Sequence, residues 1–132
     1  MKDRFCCLAL AIAASIWAAP AHASGGLFCE PVGKGGGPSL NLSMSRGDPG
    51  GIFGATLDDG GSSRTTMGEG APLTLVQAWI DDHYLFVDIA DADMMHYVAR
   101  LRAKRARIDD ALGAVGTLEY GGKKHAVRCG ES

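Results

Sequence analysis

The sequence predicts an all-β domain, a small antiparallel barrel or sandwich of about seven to eight short strands. Three observations carry that expectation. Glycine is abundant, with 19 residues, and five prolines add further breaks, which favours short elements joined by turns over long helices. Between the breaks, apolar and polar residues alternate, as where Leu40, Leu42 and Met44 interleave with Asn41, Ser43 and Ser45. Two cysteines, Cys29 and Cys129, stand near the ends of the portion that follows an apolar leader. An even cysteine count in an exported chain predicts a disulfide, here one that ties the first strand to the last.

The leader is the first element. Lys2 and Arg4 precede an apolar run from Phe5 to Ala19, Pro20 breaks the run, and Ala21-His22-Ala23 supplies small residues at the two positions a signal peptidase reads. Residues 1–23 are therefore read as a signal peptide cleaved after Ala23. The apolar run is about 15 residues, short of the ~20 that span a bilayer as a helix. Cys6 and Cys7 fall too early for lipidation, since Ser24 follows the cleavage site. The expected location is the periplasm or the exterior, and the mature chain is not membrane-spanning.

Removing residues 1–23 from the 132 leaves 109, which suits the single disulfide-tied β domain expected over 24–132. Removing Lys2, Arg4 and Asp3 takes the count from 13 basic against 15 acidic to 11 against 14, a net charge of −3. That balance gives no general attraction to nucleic acid or to an anionic membrane.

Leu27-Phe28-Cys29 opens the first strand, and Val32 to Ser39 (VGKGGGPS) is a surface loop whose Gly and Lys lack the spacing of a phosphate loop. Leu40 to Met44 is a half-buried strand. Arg46 to Gly51 (RGDPGG) has turn chemistry, and its Arg-Gly-Asp triplet is read as part of that turn. Ile52 to Leu57 is apolar, Asp58 to Gly61 turns, and Ser62 to Pro72 is a loop or a weak edge strand. Leu73 to Ile80 and Tyr84 to Ile89 form a hairpin around Asp81-Asp82-His83. Trp79 and Tyr84, flanking that turn, are expected in the core.

Met94 to Arg107 has a helical composition and a strand pattern. Ala, Leu, Met, Arg and Lys dominate it, Asp93 would cap a helix and Gly113 would end one, which makes an α+β fold with a helix near 94–112 the alternative. The alternation favours strand: Met95, Tyr97, Ala99, Leu101 and Ala103 fall on one side, His96, Arg100, Arg102 and Lys104 on the other, and only Val98 breaks the pattern. Ile108 to Val115 is expected as a loop. Residues 116–120 and 123–129 make a last hairpin around Gly121-Gly122, whose positive φ angles suit a tight primed turn.

No catalytic or cofactor motif emerges. Asp81, Asp82, Asp88, Asp91 and Asp93 lack the Gly and the closing Glu of a calcium loop. His83, His96 and His125 are isolated in sequence, without the close pair typical of zinc sites, and the thiols are expected to be oxidised. No Gly-x-Ser-x-Gly is present. No metal, no cofactor and no catalytic residue are therefore assigned. The most polarised surface is a basic ridge, with Arg100, Arg102 and Lys104 on one face of the strand and Arg105 and Arg107 beyond them. It is the candidate contact for an anionic envelope component or a protein partner, weighed against a solvated edge whose charges block edge-to-edge pairing.

In outline the chain resembles the lysozyme-inhibitor lipoproteins of bacterial envelopes, small exported β domains with first and last strands joined by a disulfide; no inhibitory loop motif and no lipidation cysteine matches. The expected role is a non-catalytic binding or accessory module of the periplasm or cell envelope. The alternatives are a small hydrolase or enzyme inhibitor with its site near Asp81-Asp82-His83, and a structural envelope component.

Overall fold

The computed structural model describes residues 25–45, 51–108 and 111–131. The expected signal peptide at 1–23 and most of the Arg-Gly-Asp turn lie outside the described residues. Among the described residues the fold is all-β, with no helix. Nine strands run in chain order: β1 (Gly25–Pro31), β2 (Ser39–Met44), β3 (Ile52–Asp58), β4 (Ser63–Thr65), β5 (Leu73–Ile80), β6 (Tyr84–Asp91), β7 (Tyr97–Ile108), β8 (Ala111–Tyr120) and β9 (Lys123–Glu131). They form one antiparallel sheet in the order β4-β3-β2-β1-β9-β8-β7-β6-β5. The sheet curls until β3 packs against β5, a nearly closed barrel. Every pairing is between chain neighbours except one, where β1 meets β9 and joins the two ends of the domain, and β4 and β5 stand at the two edges.

The core follows from alternation. Leu27 and Cys29 on β1, Leu40 and Leu42 on β2, and Leu85, Val87 and Ile89 on β6 point inward and are buried, as are Ala99, Leu101 and Ala103 on β7. Side chains fill the interior, as expected for a small barrel. Cys29 and Cys129 are directly opposite on β1 and β9, with Cα atoms 4.0 Å apart, and their disulfide lies inside the barrel core.

The ambiguous segment after Met94 is strand. Val98, the residue that breaks its alternation, is a β-bulge: Ile89 pairs with Ala99 and Ala90 with Tyr97, which leaves Val98 without an opposite number. One extra residue reverses the facing of everything beyond it. Hence Tyr97 and Met95, expected on the apolar side with Leu101, are exposed instead. A second bulge falls on β5, where Leu75 pairs with Ile89 and Gln77 with Asp88, so that Val76 is the extra residue.

The expected loop from Ile108 to Val115 is corrected: β7 runs to Ile108 and β8 starts at Ala111, so one long hairpin replaces it, with Ile108 opposite Ala111. Ala111, Gly113 and Ala114 have little strand propensity of their own, and the ladder with Arg105 to Ile108 overrides it. Gly116 is fixed by crowding, since a β-carbon there would land on the Arg102 carbonyl and on Ala103 Cα. The turn at Gly121-Gly122 has φ of 59° and 75°, the positive values a primed hairpin turn requires. The expected weak edge strand within 62–72 is the three-residue β4, which pairs only with the end of β3.

Candidate functional site

The outer face of β5 to β8 carries the expected ridge, in an arrangement the sequence only half discloses. Arg100 and Arg102 lie two apart on β7 and point away from the core, opposite Asp88 and Phe86 on β6. Asp88 interrupts the otherwise apolar run Tyr84 to Ile89 and is 2% exposed. An unpaired buried carboxylate would be strongly disfavoured, and here it is fully engaged. Arg102 grips it with both terminal nitrogens, Nη1 donating to Oδ1 at 2.8 Å and Nη2 to Oδ2 at 3.1 Å, while Arg100 Nε donates to Oδ1 at 3.2 Å. Burial pushes the Asp88 carboxyl up, but the hydrogen bonds and charges of Arg102 and Arg100 outweigh burial and leave it below the ordinary value.

The two guanidinium groups are also held by aromatic rings. Arg102 stands over Phe86 at 5.2 Å from the ring centre and Arg100 over Tyr97 at 4.6 Å, both within cation–π range. Asp88 thus organises two cations, neutralises one charge and leaves a net positive pair. Lys104, opposite Tyr84, is exposed beside them. A shallow cavity of about 290 Å³ on this face is lined by Arg100, Arg102, Thr117, Glu119 and Lys124, three cations against one exposed carboxylate. Arg105 does not join the ridge: its backbone N–H and one terminal nitrogen bond the His83 and Asp81 carbonyls, clamping the β5–β6 turn. Arg107 lies further along, on a separate cavity of about 400 Å³ with Asp82.

The expected core aromatics are on this outer face. Trp79 is 55% exposed and Tyr84 42%. Trp79 pairs across strands with Phe86, which Tyr84 stacks against at 5.5 Å. The reason is parity: Leu85 and Val87 take the inward positions of β6, so Tyr84 and Phe86 must face out. The indole does not swing freely, because Trp79 Nε1 donates to Asp81 Oδ2 at 2.9 Å. An aromatic patch thus adjoins the cations. Sequence pattern alone missed Asp88, Thr117, Glu119 and Lys124; the legible signal was a lone carboxylate in an apolar strand.

The Asp81-Asp82-His83 segment is a turn. Asp81 Oδ1 accepts the backbone N–H groups of His83 and Tyr84, both at 2.7 Å, and Oδ2 takes the indole. Those bonds, the indole's first and the two backbone N–H groups next, lower the carboxyl's pKa. A carboxylate so occupied has little acceptor capacity left for orienting a catalytic His83.

At the far end of β8, Tyr120 donates its hydroxyl to Asp59 Oδ2 at 2.8 Å and accepts from Arg64 at 3.1 Å, linking β8 to the β3–β4 turn. That hydroxyl and the turn's backbone N–H groups hold the Asp59 carboxyl at about 2. Among the described residues no three His, Cys, Asp or Glu side chains come together as metal ligands. No helix there is long and apolar enough to cross a membrane. Comparison with family models, with curated proteins and with solved structures finds no match, so the reading rests on this chain's own residues.

Proposed function

We propose that the protein is a non-catalytic binding module, exported with its signal peptide removed after Ala23, that holds an anionic component of the periplasm or cell envelope on the outer face of β5 to β9. The observation that carries this reading is the buried Asp88 carboxylate fixing Arg100 and Arg102. Long cationic side chains normally lose rotamer freedom on binding, and a pair already immobilised loses less. Arg102 spends both its terminal nitrogens on Asp88, whereas Arg100 commits only Nε. The terminal nitrogens of Arg100, with Lys104 and Lys124, are the donors offered to a phosphate, sulfate or carboxylate group. Trp79 and Tyr84 offer flat apolar faces beside them. The buried disulfide supports an oxidising compartment.

The test uses substitutions that spare Asp88. Replacing Arg100 and Arg102 together strips a buried carboxylate of its partners and confounds binding with folding. Lys104→Glu with Lys124→Glu changes only exposed positions. Binding to phosphatidylglycerol vesicles and to a sulfated polysaccharide is measured by sedimentation and by titration calorimetry, at low and high salt. Retention on either probe, weakened by salt and by the paired lysine reversal with the melting temperature unchanged, supports the reading. Absence of binding to both, or binding indifferent to the reversal, rejects it.

A further inference from the structure

The β6–β7 turn carries a second set of donors that the anionic-partner reading does not use. Met94 and Met95 are 60% and 71% exposed, in a turn that also holds Asp91, Asp93 and His96. Met94 has φ of 60°, the only non-glycine residue with positive φ among the described residues. That conformation is uncommon for an unbranched apolar side chain and marks a place worth a functional explanation. Both bulges of this region, at Val76 on β5 and Val98 on β7, flank the same stretch of β6 around Ile89 and Ala90. Bulges often re-aim side chains beside binding sites. Here they deliver Val76 and Tyr97 to the outside, where these residues, Ala90, Met94, Met95 and His96 line one cavity of about 220 Å³.

His96 is oriented for ligation. Its Nδ1 lies 3.3 Å from Asp91 Oδ2, and an ionised carboxylate only accepts, so the hydrogen of this contact sits on Nδ1 and Nε2 is the nitrogen left to face a ligand. A carboxylate behind a histidine, fixing its tautomer, is the usual outer partner of a metal-bound imidazole. Asp91 is otherwise committed to the turn, its Oδ1 accepting the backbone N–H groups of Met95 at 2.8 Å and His96 at 3.3 Å. The cavity therefore presents two neutral thioethers and one imidazole. Thioether sulfur is a soft ligand that suits Cu(I) and not Mg(II) or Ca(II), and a neutral thioether, unlike a thiolate, brings no charge to hold Zn(II).

We propose that the β6–β7 turn is a binding site for a soft monovalent cation, Cu(I) or its redox-inert stand-in Ag(I), held by the Sδ atoms of Met94 and Met95 and by His96 Nε2. The ion enters and leaves without a change of oxidation state, and its charge adds to the cavity without a compensating carboxylate ligand. Exposure of all three donors makes the site open to exchange with solvent or with another carrier. None of Arg100, Lys104 and Lys124 supplies a ligand, so the site stands or falls separately from the anionic-partner reading.

The experiment is competition for Cu(I) against bicinchoninate in ascorbate, on the exported protein with its disulfide intact, with a parallel Ag(I) titration that follows the methionine methyl resonances. The expected result is withdrawal of one equivalent of Cu(I), with the methyl signals of Met94 and Met95 shifting under Ag(I) while those of Met44 and Met67 stay in place. The Met94→Leu, Met95→Leu double variant keeps the apolar surface and removes both sulfurs. It is expected to lower Cu(I) affinity by about tenfold or more, as is His96→Leu, since even an outer partner of a metal ligand is worth that much. Circular dichroism of both variants is expected to match the parent. Failure to compete with bicinchoninate, Cu(I) affinity unaltered in the leucine double variant, or Zn(II) bound as tightly as Cu(I) would each overturn the proposal.

Discussion

The barrel is held at two places by opposite chemistry. Where β1 meets β9, the tie is covalent and apolar: Cys29 and Cys129 face each other inside the core, among Leu27, Leu40 and Val127. Where β6 meets β7, the tie is ionic and lies outside: Asp88 is shared between Arg100 and Arg102, each guanidinium half open to solvent. The first joins cysteines separated by 100 residues and lies within the core. The second joins strands already connected by a short turn, so its local contribution to closure is small. Its charges are instead arranged at the surface. A tie that restricts the unfolded chain acts most at the longest closure, whereas the ionic tie orders side chains at the surface.

The covalent seam carries the largest expected effect. Cys29→Ala with Cys129→Ala is expected to remove about 4–5 kcal/mol, the chain-entropy value for a loop of this length, measured by urea denaturation against the oxidised parent. A loss below about 1 kcal/mol would mean that the β1–β9 ladder closes the barrel unaided. Within the core, Leu101→Ala opens a cavity at a fully buried position and is expected to cost about 3 kcal/mol.

The ionic tie gives a smaller effect with a distinctive pH dependence. Asp88→Asn is expected to cost about 1–3 kcal/mol at neutral pH, less than a fully buried pair, because both arginines remain able to hydrate. The sign follows from the lowered pKa of Asp88. A carboxyl depressed by folding contributes stability above its unfolded value, near 3.8, and that contribution disappears as pH falls through the folded value. The parent therefore loses stability below pH about 4, and the Asn variant loses less over the same range. Identical acid limbs in parent and variant would remove Asp88 from the account.

The smallest effect sharpens the outer-face picture. Trp79 is the sole tryptophan after Ala23, so its fluorescence reports one site. Asp81→Ala frees the indole nitrogen, and the emission is expected to move to longer wavelength with a fall in anisotropy. An unchanged spectrum would mean that the indole is not held by Asp81.

Much of this was legible in the sequence because alternation survives where strands are regular. The Cys29–Cys129 pairing follows from the cysteine count, the Gly121-Gly122 turn from its glycines, and the β5–β6 hairpin and the shared face of Arg100, Arg102 and Lys104 from alternation and turn residues. The failures have a common cause. A bulge at Val98 reversed the facing of Tyr97 and Met95, and a single-residue shift cannot be seen in composition. The span from Ile108 to Val115 looked like loop because Ala and Gly pack by ladder and not by propensity. Asp88 lay in view, but its partners sit on the neighbouring strand, and cross-strand register is a tertiary fact. Met94 and Met95 carry no sequence signal of their own, because exposed and buried methionines look alike until the turn is placed.

The most direct test of the central claim, an exported barrel tied end to end, is the intact mass of the natively produced protein with and without reductant and alkylation. The expected result is a chain beginning at Ser24, two hydrogens lighter than its reduced form, that takes up alkylating agent only after reduction. An unprocessed chain with freely alkylatable Cys29 and Cys129 would contradict it, because it would remove both the oxidising compartment and the covalent seam.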